Sequence, residues 1–147
     1  MKAFSKVIAC AAFTALAATA VWAEGEAQDP TVKARQELME GVGAAAKTLG
    51  GMAGDKAPFD AAAAEAAKAA LVAAAAEIPA RFEPQASDPA SEAKPEIWTN
   101  WDDFAAKADA LKVAAEGMDA TTLDGVKAAM GGALGGACKA CHTAYRM

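Results

Sequence analysis

Apolar residues recur along most of this chain at steps of three, four and seven, the period of a helix that buries one face, and no segment alternates in the manner of a strand. Val32, Met39, Val42, Ala46 and Leu49 form the first such stripe. Asp29-Pro30 stands just before it, an N-cap followed by proline at the first helical position, so a helix is predicted from there to about Ala53. Pro58-Phe59-Asp60 opens a second helix through a weakly amphipathic alanine-rich stretch to about Ile78, where Pro79 is expected to end it. Pro79, Pro84 and Pro89 with scattered charges mark residues 79 to 94 as a long connection. Pro95 restarts a helix whose stripe is Ile97, Trp101, Phe104, Ala108, Leu111 and Ala115, ending near Gly117. A capping box, Thr121-Thr122-Leu123-Asp124, begins the last helix, which carries Leu123, Val126, Met130, Ala133 and Ala137 inward and runs almost to the C-terminus. Four helices joined by two short connections and one long one predict an all-α antiparallel four-helix bundle.

Composition adds a difficulty. Many inward positions are Ala or Gly, which bury little area at about 25 cal/mol per Å². A large apolar insert would repair such a core. Gly131, Gly132, Gly135 and Gly136 sharpen the point, because glycine weakens a helix by up to about 1 kcal/mol relative to alanine. Four of them near one end are expected either to let backbone approach a flat group or merely to loosen the chain end.

The first residues read as a leader. Lys2 and Lys6 precede an apolar run from Val7 to Val21, and Val21-Trp22-Ala23 sets small residues at the usual cleavage offsets. Residues 1–23 are therefore expected to be a signal peptide cleaved after Ala23, leaving one domain at 24–147, exported to the periplasm. The alternative of an uncleaved anchor meets a run at the short end for a bilayer span of about 20 residues. A lipidated Cys10 would follow too little apolar sequence to engage an export machinery. No stable membrane insertion is expected after cleavage. Loss of Lys2 and Lys6 leaves 12 basic against 19 acidic residues, a net charge of −7, which disfavours nucleic acid as a partner and favours encounter with basic protein patches.

Cysteine usage carries the chemistry. Beyond the leader only Cys138 and Cys141 remain, followed at once by His142, the sole histidine. Cys-x-x-Cys-His is the attachment motif of c-type haem. At i and i+3 on a helix both thiols face one way, so they can add to two vinyl groups of one porphyrin while the next residue offers an imidazole to the iron. A redox dithiol normally follows a strand, and none is predicted here. Zinc would need a fourth ligand from a chain that, beyond the leader, has no other His or Cys. A disulfide beside an incidental histidine is the third alternative. No acid–base pair or second metal constellation accompanies the motif, so enzymatic turnover is not expected.

A leader, four helices and this motif six residues from the end make the chain resemble the class II c-type cytochromes, the cytochrome c′ family. The likeness extends through Arg35-Gln36-Glu37-Leu38-Met39, the Gly51-Met52-Ala53 to Pro58-Phe59-Asp60 junction, Pro95-Glu96-Ile97-Trp98 and Cys141-His142-Thr143-Ala144-Tyr145-Arg146. It implies one covalently attached haem c with His142 as proximal ligand. It also implies a division, since some members leave the sixth iron position open to small gases and others fill it with methionine. Met130 lies 12 residues from His142 on the same predicted helix, about 18 Å, and cannot reach the opposite face of the ring. Met118 sits in a turn, Met147 is terminal, and Met52 lies about 20 Å along the first helix from Met39. The resemblance puts Met39 in the slot facing the open side of the iron, so the expectation is a low-spin electron carrier with His142 and Met39 as axial ligands. If Met39 only packs over the ring, the expectation becomes a high-spin protein binding NO or CO. By the same resemblance Arg35 is placed near a haem propionate, with a surface ion pair as the alternative. Arg146 would act on the haem edge or favour the helix C-terminus. Trp98, Trp101, Phe104 and Tyr145 are expected in the core and the haem wall. Redox partner proteins follow from the carrier role, and either a monomer or a homodimer paired through the first two helices is compatible with the alanine-rich faces.

Overall fold

The computed structural model describes residues 27–147, so the expected leader lies outside the described residues. Helix α1 spans Pro30–Ala53. Its start is fixed as anticipated: Asp29 Oδ1 accepts from the backbone N–H groups of Thr31 and Val32 at 2.7 and 3.1 Å, and Pro30 falls where a helical N–H has no partner to lose. The chain reverses at Asp55, whose φ of 55° lies in the left-handed region that a short polar side chain tolerates, and whose carboxylate meets Lys127 Nζ at 2.9 Å. Helix α2, Ala61–Phe82, is capped by Asp60 through Ala63 N–H at 3.0 Å.

α2 does not stop at Pro79, as local sequence alone would have it, but passes through it. An internal proline forfeits a helical hydrogen bond and crowds the preceding turn, at about 3 kcal/mol. What offsets this is tertiary. Ile78 and Phe82 are buried, Arg35 Nε donates to Arg81 O at 3.1 Å, and the Trp98 indole N–H donates to Phe82 O at 2.7 Å, so the last carbonyls of the extended helix are satisfied.

The third and fourth expected helices are each broken in two. α3 is Glu96–Thr99 and α4 is Trp101–Glu116, separated by Asn100 at φ −125° and ψ 46°. Trp98 is tied to the end of α2 while Trp101 packs on Phe104 with ring centroids 5.5 Å apart, and the non-helical Asn100 lets both contacts form. α5 is Leu123–Gly131 and α6 is Ala133–Tyr145, with the break at Gly132. The cap of α5 is Thr122, accepting from Gly125 N–H at 3.1 Å; Thr121 instead donates to Asp119, so the expected Thr121 to Asp124 box does not form.

The break at Gly132 sets the direction in which the cysteines point. An unbroken helix would carry Ala133 and Ala137 inward, but Ala133 is exposed and Leu134 is buried in its place. The inward stripe is thus advanced by one residue, about 100° of helical rotation. From Leu134 it continues at steps of four, three and four through Cys138, Cys141 and Tyr145. Both cysteines are half-buried and packed against the core as a result. A Cβ on Gly135 would lie 2.2 Å from Met130 O, and on Gly132 2.7 Å from Ala128 O, so these two glycines allow the close backbone approach at the break; Gly131 and Gly136 have open space. Gly135→Ala is expected to lower stability by about 1–3 kcal/mol, as forced overpacking does. Gly136→Ala, at the next position but facing open space, is expected to raise it by up to about 1 kcal/mol. Paired urea titrations check the opposite signs.

α1 packs along α2 and α5, and α4 along α2 and α6, which closes a four-helix bundle with the halves of the broken helices end to end. α1 and α6 share no extensive packing. The core combines Leu49, Leu71, Ile97, Phe104, Leu111 and Leu134 with small residues such as Ala64, Ala67, Ala108 and Ala115. Among the described residues no helix is long and apolar enough to cross a membrane.

Candidate functional site

The rephased α6 places Cys138 and Cys141 one turn apart on a single face, unbridged, with His142 next in the chain. Burial pushes both thiols above the ordinary range, and at Cys141 the nearby Lys107 ammonium only partly opposes it. A redox dithiol needs the reverse, a thiolate stabilised by positive surroundings, so this environment speaks against that alternative. Among the described residues no group of three or more His, Cys, Asp or Glu is arranged to hold a metal ion, as a zinc site would require. His142 is exposed, and partial loss of hydration and then the Arg146 charge lower its pKa, with Glu92 opposing, which favours the neutral form whose lone pair can ligate.

Tyr145, beside Cys141, belongs to an aromatic cluster that runs into the core. Phe104 lies 5.3 Å from Phe82 and 5.3 Å, edge to face, from Tyr145. The Tyr145 hydroxyl makes a short hydrogen bond to Asp103 Oδ2, while Lys107 Nζ reaches both oxygens of the same carboxylate at 2.7 and 2.8 Å. Lys107 and then Tyr145 hold the Asp103 carboxyl low, and the Tyr145 phenol is pushed up to about 12 by that carboxylate. The Asp103–Lys107 pair is legible in sequence at i and i+4. The tie to Tyr145, 42 positions away, is not.

Across the bundle α1 carries Arg35 and, one turn on, Met39. Arg35 is 3 % exposed, and its guanidinium sits 5.3 Å from the Phe82 ring centre and 5.2 Å from that of Trp98. It donates to the carbonyls of Arg81 and Pro84, yet Nη1 is buried without a hydrogen-bond partner. Desolvation lowers its pKa, against the pull of Asp29. The surface ion pair anticipated as the alternative role is thus not what the side chain makes; it is buried among aromatic rings and carbonyls. A buried cationic donor left open is costly unless an anion completes it, and a propionate carboxylate is of the right chemistry.

Of the other methionines, Met52 and Met118 are core residues, and Met52 Sδ already accepts from Asp60 N–H at 3.3 Å. Met147 is 71 % exposed. Met130 packs at Gly50, eleven residues along α1 from Met39 or about 16 Å. Met39 is half-buried against the core beside Leu38. The residues present therefore fit a covalently held porphyrin: two inward thiols at thioether spacing, a neutral imidazole, apolar walls and an unfilled donor for a carboxylate.

Known proteins agree. The family model described as Cytochrome C' matches residues 30–146. A cytochrome c-556 of Agrobacterium fabrum is 38% identical over 144 residues, covering 96% of this chain and 94% of the relative. Among solved structures, a cytochrome c556 of R. palustris superposes with a TM-score of 0.71 at 28% identity, over 82% of this chain and 98% of the other. A nitric oxide complex of a variant cytochrome c prime from Alcaligenes xylosoxidans gives 0.68 at 32% identity, over 79% and 93%. With its motif, its four-helix bundle and these relatives in hand, the chain belongs to the cytochrome c′ family, the class II c-type cytochromes, and binds one covalently attached haem c.

Proposed function

We infer that this protein is a periplasmic one-electron carrier in which Cys138 and Cys141 hold the haem, His142 and Met39 ligate its iron, and Arg35 meets a propionate. The bound group supplies a single electron by cycling its iron between ferric and ferrous states. The protein's part is to keep the surroundings unchanged between them. The neutral imidazole of His142 and the thioether of Met39 are both uncharged ligands, a pairing that raises the reduction potential and suits both oxidation states. Arg35, held between Phe82 and Trp98, carries an unsatisfied Nη1–H that a carboxylate could complete. Redox partners bearing basic patches suit the acidic surface, and a monomer or a dimer through α1 and α2 serves equally.

The observation that supports methionine ligation is the disposition of Met39, half-buried one turn beyond the buried Arg35 while every other described methionine is in the core, packed elsewhere or terminal. Electronic absorption tests it. The expected result is a low-spin spectrum in both oxidation states, a weak sulfur-to-iron band at the red end of the ferric spectrum, and slow CO uptake by the ferrous protein. Fast, tight CO uptake by a high-spin ferrous form would instead support a gas-binding role, the reading favoured by the nitric oxide complex of the similar Alcaligenes protein.

A further inference from the structure

The segment joining α2 to α3 does more than connect them. Along it, the contacts pass from one ligand-bearing helix to the other. Pro84 O accepts from Arg35, and Ala90 O accepts from Gln36 Nε2 at 2.9 Å, both on α1. Between them Asp88 Oδ2 accepts from the backbone N–H groups of Gln28 and Asp29 at 2.7 and 2.9 Å, and Oδ1 braces the segment itself through Ala90 N–H at 2.8 Å. Those hydrogen bonds hold the Asp88 carboxyl below the ordinary range. From Glu92 onward the partners belong to the end of α6. Glu92 O accepts from Met147 N–H at 2.9 Å, its carboxylate takes Arg146 Nε at 2.6 Å, Lys94 N–H donates to Tyr145 O at 2.9 Å, and Lys94 Nζ to Thr143 O at 3.2 Å. Ala93 and Arg146 form an isolated antiparallel bridge.

α1 and α6 share no extensive packing; α5 packs on both, and beside it this segment ties the first turns of α1, ahead of Met39, to the last turn of α6, just past His142. We propose that residues 84–94 act as a clamp setting the separation of the two axial ligands, with Asp88 as its positioning residue. The clamp rests on Met39 being an iron ligand. An iron–thioether bond is weak enough that small changes in helix separation alter the fraction of protein in which it is closed. Asp88 joins α1 to the segment, because its carboxylate takes two backbone donors at the start of α1 and a third, Ala90 N–H, on the segment itself, in charge-assisted bonds. It touches neither ligand, and acts by holding the Asp29 cap, and through it the first turns of α1, against the segment.

The test compares Asp88→Ala with Thr122→Ala, which removes the cap of α5 away from the clamp, both as mature haem-loaded protein. Asp88→Ala is expected to weaken the sulfur-to-iron band, to admit a high-spin fraction, and to bind CO about tenfold more readily, since apparent affinity follows the fraction of open iron. Thr122→Ala is expected to melt earlier with an unchanged spectrum and unchanged CO binding. Asp88→Asn, which keeps an acceptor oxygen, should restore most of the band. If Asp88→Ala is not recovered folded, Gln36→Leu, which releases the neighbouring tie, is expected to give the same spectral change. A wild type with closed methionine ligation whose Asp88 or Gln36 variants behave like Thr122→Ala would overturn the clamp alone. A wild type already five-coordinate would overturn the ligation reading, and the clamp with it.

Discussion

Replacing Cys138 and Cys141 together by alanine is expected to leave no haem on the polypeptide after denaturing chromatography, where the parent protein retains all of it. The two half-buried thiols are the described residues placed for thioether bonds, and the remaining cysteine, Cys10, lies in the stretch expected to be a leader. Coordination by His142 would survive the change but would hold the group only reversibly. The larger consequence is thermodynamic. A tethered group stabilises the fold at any protein concentration, whereas a free one contributes RT ln(1 + [L]/Kd) and departs on dilution. The double variant is therefore expected to show a melting temperature that rises with added haem and falls on dilution, while the parent's stays fixed. The core makes the effect large, because Ala64, Ala67, Ala108 and Ala115 bury little area on their own account. Single substitutions should retain one thioether and sit between the extremes. Calorimetry across a haem titration reads the difference, and identical, concentration-independent melting in both proteins would contradict it.

Met39→Ala is the second large effect. On the proposed ligation it should convert a low-spin, six-coordinate iron into one with an open position, abolish the sulfur-to-iron band, lower the reduction potential and raise CO affinity on the order of 100-fold, the gain expected where the open state is about 1% populated in the parent. Truncation also removes packing, so Met39→Leu is the sharper variant. Leucine conserves volume at a cost usually below about 1.5 kcal/mol yet offers no sulfur. Loss of the band in both variants, with near-parental melting for Met39→Leu, separates ligation from filling. Retention of the band in Met39→Leu would assign the ligand elsewhere.

The parts of this molecule legible in sequence are those set by neighbours along the chain. The cap at Asp29 acts over two or three residues and stands where expected, and α2 opens just after Asp60, close to its expected start. Cys138, Cys141 and His142 are likewise local, their chemistry fixed by spacing. What sequence periodicity misses is decided across the bundle. Pro79 should end a helix on local grounds, and does not because Arg35 and Trp98 satisfy the carbonyls beyond it. The apolar stripe of the last helix looks continuous through Ala133 when one period is assumed, and only the break at Gly132 shows that Leu134, Cys138, Cys141 and Tyr145 share the inner face. Arg35 is singled out in sequence by resemblance alone; its burial between Phe82 and Trp98 depends on residues roughly fifty and sixty positions away, which no local pattern encodes. The grip of Asp88 on the start of α1 spans a similar interval.

Covalent haem attachment is tested most directly by the intact mass of the protein, expressed with a working haem-maturation system and weighed under denaturing conditions. The expected result is a coloured species heavier than its polypeptide by one haem, with the added mass confined to the fragment containing residues 138–142. A colourless product weighing no more than its amino acids would contradict it.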